Sequence, residues 1–243
     1  MFKEKQNAPL SQTMTIAIIP AAGSGVRMGG DRPKQFLALD GKPILAITLM
    51  PFELCYEVDA IIVVTQKSDI EYCQKEIINR YKLTKVIKVV AGGDRRQDSV
   101  RFGLDASEGK YENIVIHDGV RPVISQMDIK EIINAGKTHR AVITGLPAKE
   151  TVKEIDNDYN VIRTHDRRRL WLVQTPQIFR YNDLMEAHKK AIAEGWQEAT
   201  DDSQLVERLG IPVKVIKGSE KNIKVTTPDD LELAEFLLKH IQD

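Results

Sequence analysis

The sequence has few of the residues that build metal centres, disulfide frameworks or redox sites. It contains only two cysteines, Cys55 and Cys73, and no Cys-x-x-Cys pair. We therefore expect two reduced thiols. The five histidines are scattered, and no His-Glu-x-x-His motif joins two of them, which argues against the zinc-protease arrangement. A Gly-x-Ser-x-Gly motif is also absent, so the nucleophile elbow of the hydrolases is not expected.

The chain also lacks an excess of charge of either sign. Its 243 residues carry 35 Lys and Arg and 35 Asp and Glu, so the formal net charge is zero. Without a global positive field, neither nucleic acid nor a membrane is an expected partner. No apolar run approaches the ~20 residues of a membrane span, and no signal-peptide pattern is present. We expect a cytoplasmic protein whose anion binding depends on local clusters of charge.

What the sequence does contain is an alternation of apolar strands and amphipathic helices. Strands are predicted at 16–20, 60–65, 85–91, 113–117, 141–146 and 213–217. Helices are predicted at 44–50 (ended or kinked by Pro51), 68–81, 97–106, 125–137 and 182–194, after the cap at 200–202, and from Thr227 onward. This order predicts an α/β fold, Rossmann-like, with a mostly parallel sheet and helices on both faces. Residues 1–13 predict a loose tail, and 14–243 a single domain.

The pattern changes near residue 147. Residues 151–155 alternate in period two, residues 156–158 give a turn signal, and residues 161–164 run back, which predicts a β-hairpin. Many charges and few large apolar groups indicate an arm at about 148–170 that projects from the core. Because an isolated hairpin is only marginally stable, we expect the arm to mediate a homodimer.

The most informative stretch runs from Ile16 to Phe36. An apolar strand ends there in small residues and glycines, and Arg27, Arg32 and Lys34 follow. The backbone of such a loop can approach a ligand closely, and its N–H groups suit phosphate oxygens. The glycine spacing matches neither a P-loop nor the dinucleotide fingerprint. We expect a polyphosphate-binding loop; the alternative is a tight connection that simply needs glycine.

A second candidate is Asp118, which follows the strand at 113–117. The carboxyl ends of parallel strands lie at one edge of a sheet, so Asp118 and Gly92-Gly93-Asp94 can converge on the glycine loop. A carboxylate opposite a phosphate loop is well placed to hold Mg²⁺, although Asp118 can also simply cap a turn. For His117 beside it we expect an orienting role rather than proton transfer.

Six motifs match a known family in their order along the chain. They lie at 20–28, 33–36, 92–100, 117–122, 175–177 and 222–226. Together they resemble the 2-C-methyl-D-erythritol 4-phosphate cytidylyltransferases, from about Thr15 to the last helix. The resemblance implies transfer of CMP from CTP to methylerythritol phosphate in the non-mevalonate isoprenoid pathway. It also implies Mg²⁺ or another divalent cation, and a homodimer with a β-arm.

The resemblance implies roles for individual residues. The catalytic residues would be Arg27, Lys34, Arg167 and Lys224. The nucleotide-binding residues would be Pro20, Ala21, Ala22, Gly23, Ser24, Gly25, Gly93, Asp94, Arg96 and Ser99. The acceptor-binding residues would be Asp118, Arg121, Thr151, Arg167, Thr175 and Lys224, with Asp118 also on the metal. Because Thr151 and Arg167 lie on the arm, we expect them to reach the neighbouring subunit's site.

Two alternatives remain. A ribitol-5-phosphate cytidylyltransferase would be similar throughout and differ in its acceptor, although the sequence Pro-Ala-Ala-Gly at 20–23 favours the methylerythritol enzyme. A non-catalytic nucleotide-binding regulator is less expected, because mere binding does not need Arg27, Lys34 and Lys224 together. The attacking phosphate monoester is already anionic, so the reaction needs positioned cations rather than a general base. The absence of a Ser-His-Asp set agrees with this chemistry.

Overall fold

A computed structural model describes residues 13–23, 33–196 and 199–240. The tail predicted at 1–13 lies almost entirely outside these residues. The strands are β1 (Thr15–Pro20), β2 (Ala38–Leu39), β3 (Lys42–Pro43), β4 (Ala60–Thr65), β5 (Val86–Ala91), β6 (Asn113–Ile116), β7 (Ala141–Pro147), β8 (Lys153–Ile155), β9 (Val161–Thr164), β10 (Trp171–Arg180) and β11 (Val213–Lys217). The helices are α1 (Ile44–Leu54), α2 (Ile70–Tyr72), α3 (Arg96–Ala106), α4 (Gln126–Gly136), α5 (Tyr181–Ala193), α6 (Asp202–Glu207) and α7 (Pro228–Lys239).

The centre of the molecule is a seven-stranded sheet in the order β11-β7-β10-β6-β1-β4-β5. Strand β10 runs antiparallel to both of its neighbours, β6 and β7. All other neighbouring pairs in this sheet are parallel. The mostly parallel α/β sheet predicted from the sequence is therefore confirmed.

Both faces of the central strands β1, β4 and β6 are buried, which explains why these strands are almost continuously apolar. In β1, Ala17 and Ile19 belong to the core on one face, together with residues of α1 and α4. Ile16 and Ile18 belong to the core on the other face, with residues of α3, α5 and α6. A third, smaller core lies under α7. Helices thus cover both faces, as the alternating pattern predicts.

Helix α1 continues through Pro51 to Leu54, whereas the sequence predicted an end or a kink near Met50. A proline inside a helix removes a hydrogen bond and costs about 3 kcal/mol. Leu49 and Phe52, on either side of Pro51, are both fully buried. Their burial offsets part of that cost, at ~1.5–3 kcal/mol for each large apolar side chain.

The helix predicted at 68–81 consists of three shorter pieces. A 3₁₀ turn, Lys67–Asp69, leads into α2, and a π-helix, Cys73–Asn79, continues it. Cys73, Ile77 and Ile78 in the π segment are buried, so the apolar pattern is correct even though the helix type is not.

Strand β10 was not predicted. The sequence around Pro176 indicated only that the chain returns to the domain, because proline is rare inside a central strand. In the structure the pairing of β10 with β7 shifts between Gln174 and Gln177. This irregularity accommodates Pro176, whose carbonyl accepts a hydrogen bond from Thr144 Oγ1 at 3.0 Å.

The hairpin predicted after residue 147 is present. Strands β8 and β9 pair antiparallel in a sheet of their own, and Ile155, Val161 and Ile162 on them are exposed.

Among the described residues, no helix is both long enough and apolar enough to cross a bilayer.

Candidate active site

The loops that follow β1, β5 and β6 meet at the carboxyl edge of the sheet, because these strands are parallel. They line a cleft, here called the first cleft, together with residues near Lys34 and Lys224. The predicted nucleotide-binding residues that line it are Pro20, Ala21, Ala22, Gly23, Gly93, Asp94, Arg96 and Ser99. Ser24, Gly25, Arg27 and Arg32 lie outside the described residues.

Two glycines allow the loop after β5 to lie close against its neighbours. A Cβ atom at Gly92 would be 2.6 Å from Ala22 Cβ, and one at Gly93 would be 2.5 Å from Asp98 Cβ. Real Cβ atoms do not approach carbon so closely, so only glycine fits without movement. The hydroxyl of Ser99 accepts a hydrogen bond from the N–H of Gly93 at 3.2 Å. Ser99 therefore stabilises the loop that lines the cleft.

A second cleft lies on the other side of Asp118. Its wall includes the predicted acceptor-binding residues Asp118, Arg121, Thr175 and Lys224. Arg96, Asp118 and Lys224 line both clefts and form a shared wall between them. The structure therefore brings most of the predicted nucleotide and acceptor residues to two adjoining spaces.

Thr151 and Arg167, predicted to bind the acceptor, line neither cleft of their own chain. Both are exposed on the arm. Arg167 Nη1 donates a hydrogen bond to the carbonyl of Lys149 at the base of the arm.

The charge of the shared wall is centred on Asp118. Its carboxylate contacts Arg96 Nε at 3.1 Å, Lys224 Nζ at 3.0 Å and Arg121 Nε at 3.3 Å. Burial on its own would raise the pKa of Asp118, but the charges of Arg96, Lys224 and Arg121 hold that pKa far below its usual range. Asp118 is thus an anion that fixes three cations between the clefts.

A chain of hydrogen bonds joins Asp118 to Thr175 and His117. The backbone N–H of Asp118 donates to Thr175 Oγ1 at 3.0 Å, and Thr175 Oγ1 lies 3.2 Å from His117 Nδ1. His117 Nε2 lies 3.3 Å from the carbonyl of Arg121. These partners assign the proton of the neutral ring to Nε2. Burial lowers the pKa of His117 to about 4, so the buried ring is neutral at pH 7.

Comparisons with known proteins identify the family. The model of the 2-C-methyl-D-erythritol 4-phosphate cytidylyltransferase family matches residues 15–240. The chain belongs to this family. A cytidylyltransferase of this name from Syntrophus aciditrophicus is 47% identical over 92% of this chain and 95% of its own length. Another, from Geotalea uraniireducens, is 46% identical over 93% of this chain and 97% of its own.

Solved structures agree with the family assignment. A crystal structure of 4-diphosphocytidyl-2C-methyl-D-erythritol synthase from Anaerococcus prevotii has a TM-score of 0.83 and 36% identity, covering 95% of this chain and 100% of that one. The Francisella tularensis cytidylyltransferase has a TM-score of 0.79 and 32% identity, covering 93% and 100%. The α/β fold and the cytidylyltransferase class predicted from the sequence are both confirmed.

The donor set of this cytidylyltransferase suits a metal that the substrate helps to hold. No group of three or more His, Cys, Asp or Glu side chains among the described residues could hold an ion. Asp94 and Asp118 line the first cleft, and Mg²⁺ is commonly bound by one or two carboxylates plus substrate phosphates and water. The clefts therefore fit Mg²⁺ shared with a triphosphate, and do not fit a cage made of protein alone.

Three further residues shape the site of this cytidylyltransferase through contacts that the sequence did not predict. Asn222 Nδ2 donates to the carbonyl of Thr175 at 2.7 Å, and Gln174 Nε2 donates to the carbonyl of Ser219 at 3.0 Å. These bonds attach the loop that carries Lys224 to β10. The motif at 222–226 pointed to Asn222 but not to this role. The third, Asp202, contacts Arg96 across 106 positions of sequence, and no local pattern could have indicated that.

Proposed function

We propose that the protein transfers CMP from CTP to 2-C-methyl-D-erythritol 4-phosphate and releases pyrophosphate. The observation that carries this proposal is the pair of clefts joined by the cationic wall of Arg96, Asp118 and Lys224. The first cleft adjoins the glycine loop and suits the triphosphate. The second suits a small phosphorylated polyol, because its wall is polar and contains Arg121 and Lys224. Family membership supports the same reaction.

The chemistry requires charge stabilisation rather than proton removal. An anionic phosphate oxygen of the acceptor attacks the α-phosphorus of CTP, and the bond from that phosphorus to the bridging oxygen breaks. Pyrophosphate leaves with the electron pair, and no proton has to move. His117, neutral and engaged at both ring nitrogens, is accordingly not the base. What opposes reaction is repulsion between the two phosphates, which positioned cations relieve.

The cations divide the work between the substrates. Lys34 lines only the first cleft, where it neutralises charge that develops on the triphosphate, and Arg27 is assigned the same role. Lys224 lines both clefts, so it can contact the attacking and the attacked phosphate together. Arg121 is mostly committed to Asp118 and to the carbonyl of Asn222 at 2.9 Å. Arg121 therefore has two roles: it orients Asp118, and its charge attracts the acceptor.

A divalent cation, Mg²⁺ in the first instance, belongs to the proposal. Asp118 would hold it from the protein, together with oxygens of the triphosphate. When bound, it supplies positive charge that neutralises the phosphates. Asp118 accepts three contacts from cations out of about four lone-pair positions on a carboxylate, which leaves room for one metal contact.

The arm supports a homodimer. Ile155, Val161 and Ile162 on the arm and Trp171, Leu172 and Val173 at the adjoining start of β10 are exposed apolar residues. Exposed large apolar side chains in one part of the chain are typical of an interaction surface. We propose that a second copy covers them and that Thr151 and Arg167 thereby reach the second cleft of the partner. A cytoplasmic location stays a prediction from the sequence.

Pyrophosphate release tests the reaction. The protein is incubated with CTP and Mg²⁺ under three conditions: with methylerythritol phosphate, with ribitol-5-phosphate, or without an acceptor. We expect release with methylerythritol phosphate at least tenfold faster than with ribitol-5-phosphate, a difference of about 1.4 kcal/mol in the barrier. If ribitol-5-phosphate reacted faster, ribitol-5-phosphate would be the acceptor instead of methylerythritol phosphate. Binding of CTP without release from either acceptor would favour a non-catalytic regulator.

A further inference from the structure

Asp202 is a buried carboxylate that no step of the reaction above uses. It is the first residue of α6 and is 1% exposed. The cap of α6 is supplied by its neighbour, since Asp201 accepts a hydrogen bond from the N–H of Gln204 at 3.0 Å. Asp202 is therefore not needed to begin the helix. A buried charge is unfavourable unless it is paired, so its partner is informative.

The partner is Arg96, which lines both clefts. Arg96 Nη1 donates to Asp202 Oδ2 at 2.7 Å, while Arg96 Nε donates to Asp118 Oδ1 at 3.1 Å. The two carboxylates hold the guanidinium between them. Burial would raise the pKa of Asp202, but the contacts with Arg96 and with His188 together more than offset this and leave that pKa below its usual value. The ionised pair is thus stable in the fold.

Asp202 also has a neighbour at its other carboxylate oxygen. His188 on α5 is buried, and its Nε2 lies 3.6 Å from Asp202 Oδ1, without a hydrogen-bond partner for either ring nitrogen. The short contact of Asp202 is therefore the one from Arg96 to Oδ2, while Oδ1 faces His188 at a longer distance.

We propose that Asp202 is a positioning residue for nucleotidyl transfer. It anchors the Arg96 guanidinium so that Arg96 takes one oxygen of Asp118, and Lys224 and Arg121 contact the other. Without the anchor, Asp118 loses one of its three cations and binds Lys224 more tightly. Lys224 is then less available to the substrate phosphates. This inference rests on the proposed cytidylyltransferase function.

Asp202→Asn tests the inference, because the side chain keeps its size and loses its charge. We expect kcat to fall about tenfold to a hundredfold, the effect of displacing a catalytic group by roughly 1 Å. The KM for CTP should change far less. Asp183→Asn is the matched control: Asp183 is also buried and also pairs with an arginine, Arg140, with an Nε contact of 2.8 Å, but it lines neither cleft. Its kcat should stay within twofold of the wild type.

A double substitution separates positioning from a general structural role. If Asp202 acts through Arg96, adding Asp202→Asn to Arg96→Gln should change the remaining kcat by less than about twofold. A further loss equal to that in the wild-type background would overturn the inference. The double variant contains no unpaired buried charge, whereas Arg96→Gln alone leaves Asp202 without its arginine, so each kcat is expressed per folded molecule, as thermal unfolding measures it.

The two proposals fail in different ways. An inactive wild type with bound CTP would contradict the cytidylyltransferase function and not the contact of Asp202. An active wild type with unchanged kcat in Asp202→Asn would contradict the positioning role alone. Thermal unfolding of each variant shows that the protein assayed is folded.

Discussion

At Asp118, one buried carboxylate is kept ionised by cations from three separate parts of the chain. Arg96 belongs to α3, Arg121 to the loop after β6, and Lys224 to the loop after β11. Each contact is short, and the side chain of Asp118 is only 8% exposed, so solvent screens these charges weakly. Asp118 therefore determines where the cations stand before any substrate arrives, and that arrangement is what electrostatic catalysis requires.

Lys34→Ala should lower kcat about a hundredfold or more, because a positioned charge at a developing phosphate charge contributes roughly 3 kcal/mol. Steady-state pyrophosphate release measures this. Lys67→Ala is the matched control, since Lys67 is also the first residue of a 3₁₀ turn and lines neither cleft. Near-normal turnover in Lys34→Ala would remove Lys34 from the transition state.

His117 should make the stability of the fold depend on pH in a defined window. Burial lowers its pKa from 6.5 to about 4, so between these values the unfolded chain binds a proton that the folded chain does not. The contribution is complete above the unfolded pKa and is lost as the pH falls towards 4. Its full size is at most about 3 kcal/mol.

Urea denaturation in the presence of a chelator, at pH values between about 4.5 and 7.5, measures this contribution. His117→Gln removes the titrating group, so its free energy of unfolding should vary less with pH than that of the wild type. His139→Gln, at an exposed position, should leave the wild-type dependence intact. An unchanged slope in His117→Gln would show that other groups cause it.

At the scale of elements, the sequence predicted what depends on local pattern. The run at 60–65 is strand β4 and the run at 213–217 is strand β11, with identical bounds. The last helix begins at its predicted cap, because Thr227 and Asp230 form a capping box. These features follow from apolar period, capping and turn residues, which neighbouring residues alone determine.

Elements whose stability comes from distant partners were missed or misjudged. Strand β10 is stabilised by pairing with β6 on one side and β7 on the other. Because Pro176 argues against a strand, the local sequence did not predict one. Of the two predictions for Pro51, an end or a kink of α1, the end was wrong, because the burial of Phe52 favours continuation past Pro51. For the site, the motifs predicted Asp118 and Lys224 in one place, while the contact of Asp202 with Arg96 appears only in three dimensions.

Helix α3 carries Arg96 and Ser99, and its distance from the sheet is set by Gly103. A Cβ atom at Gly103 would be 2.5 Å from Ile18 Cγ2 and 3.0 Å from Val64 Cγ2. Gly103→Ala should therefore lower the free energy of unfolding by about 1–3 kcal/mol, even though alanine is the better helix former. Denaturant titration measures it. Asp105→Ala, at an exposed position of α3, is the control and should change the free energy of unfolding by less than about 0.5 kcal/mol. If Gly103→Ala were as stable as the wild type, α3 would be able to move away from the sheet without cost.

At the scale of the whole molecule, each chain holds the cationic wall but keeps two predicted acceptor residues away from it. Thr151 and Arg167 stand on the exposed arm, and neither lines a cleft of its own chain. If a second copy covers the exposed apolar residues of the arm, each complete site contains the body of one chain and the arm of the other. A homodimer would then be required for activity and not only for stability.

Mixing inactive variants tests this arrangement. Arg167→Ala damages the arm and Lys34→Ala damages the body, so a dimer of one chain of each kind contains one site with both parts intact. Refolding the two together should restore about a quarter of wild-type activity, since about half of the dimers are mixed and each has one working site. Lys34→Ala refolded with Lys224→Ala is the control, because both changes lie in the body and no mixed dimer has an intact site. Recovery in the control as well would point to an artefact of refolding, and no recovery with Arg167→Ala would show that Arg167 does not act across the dimer.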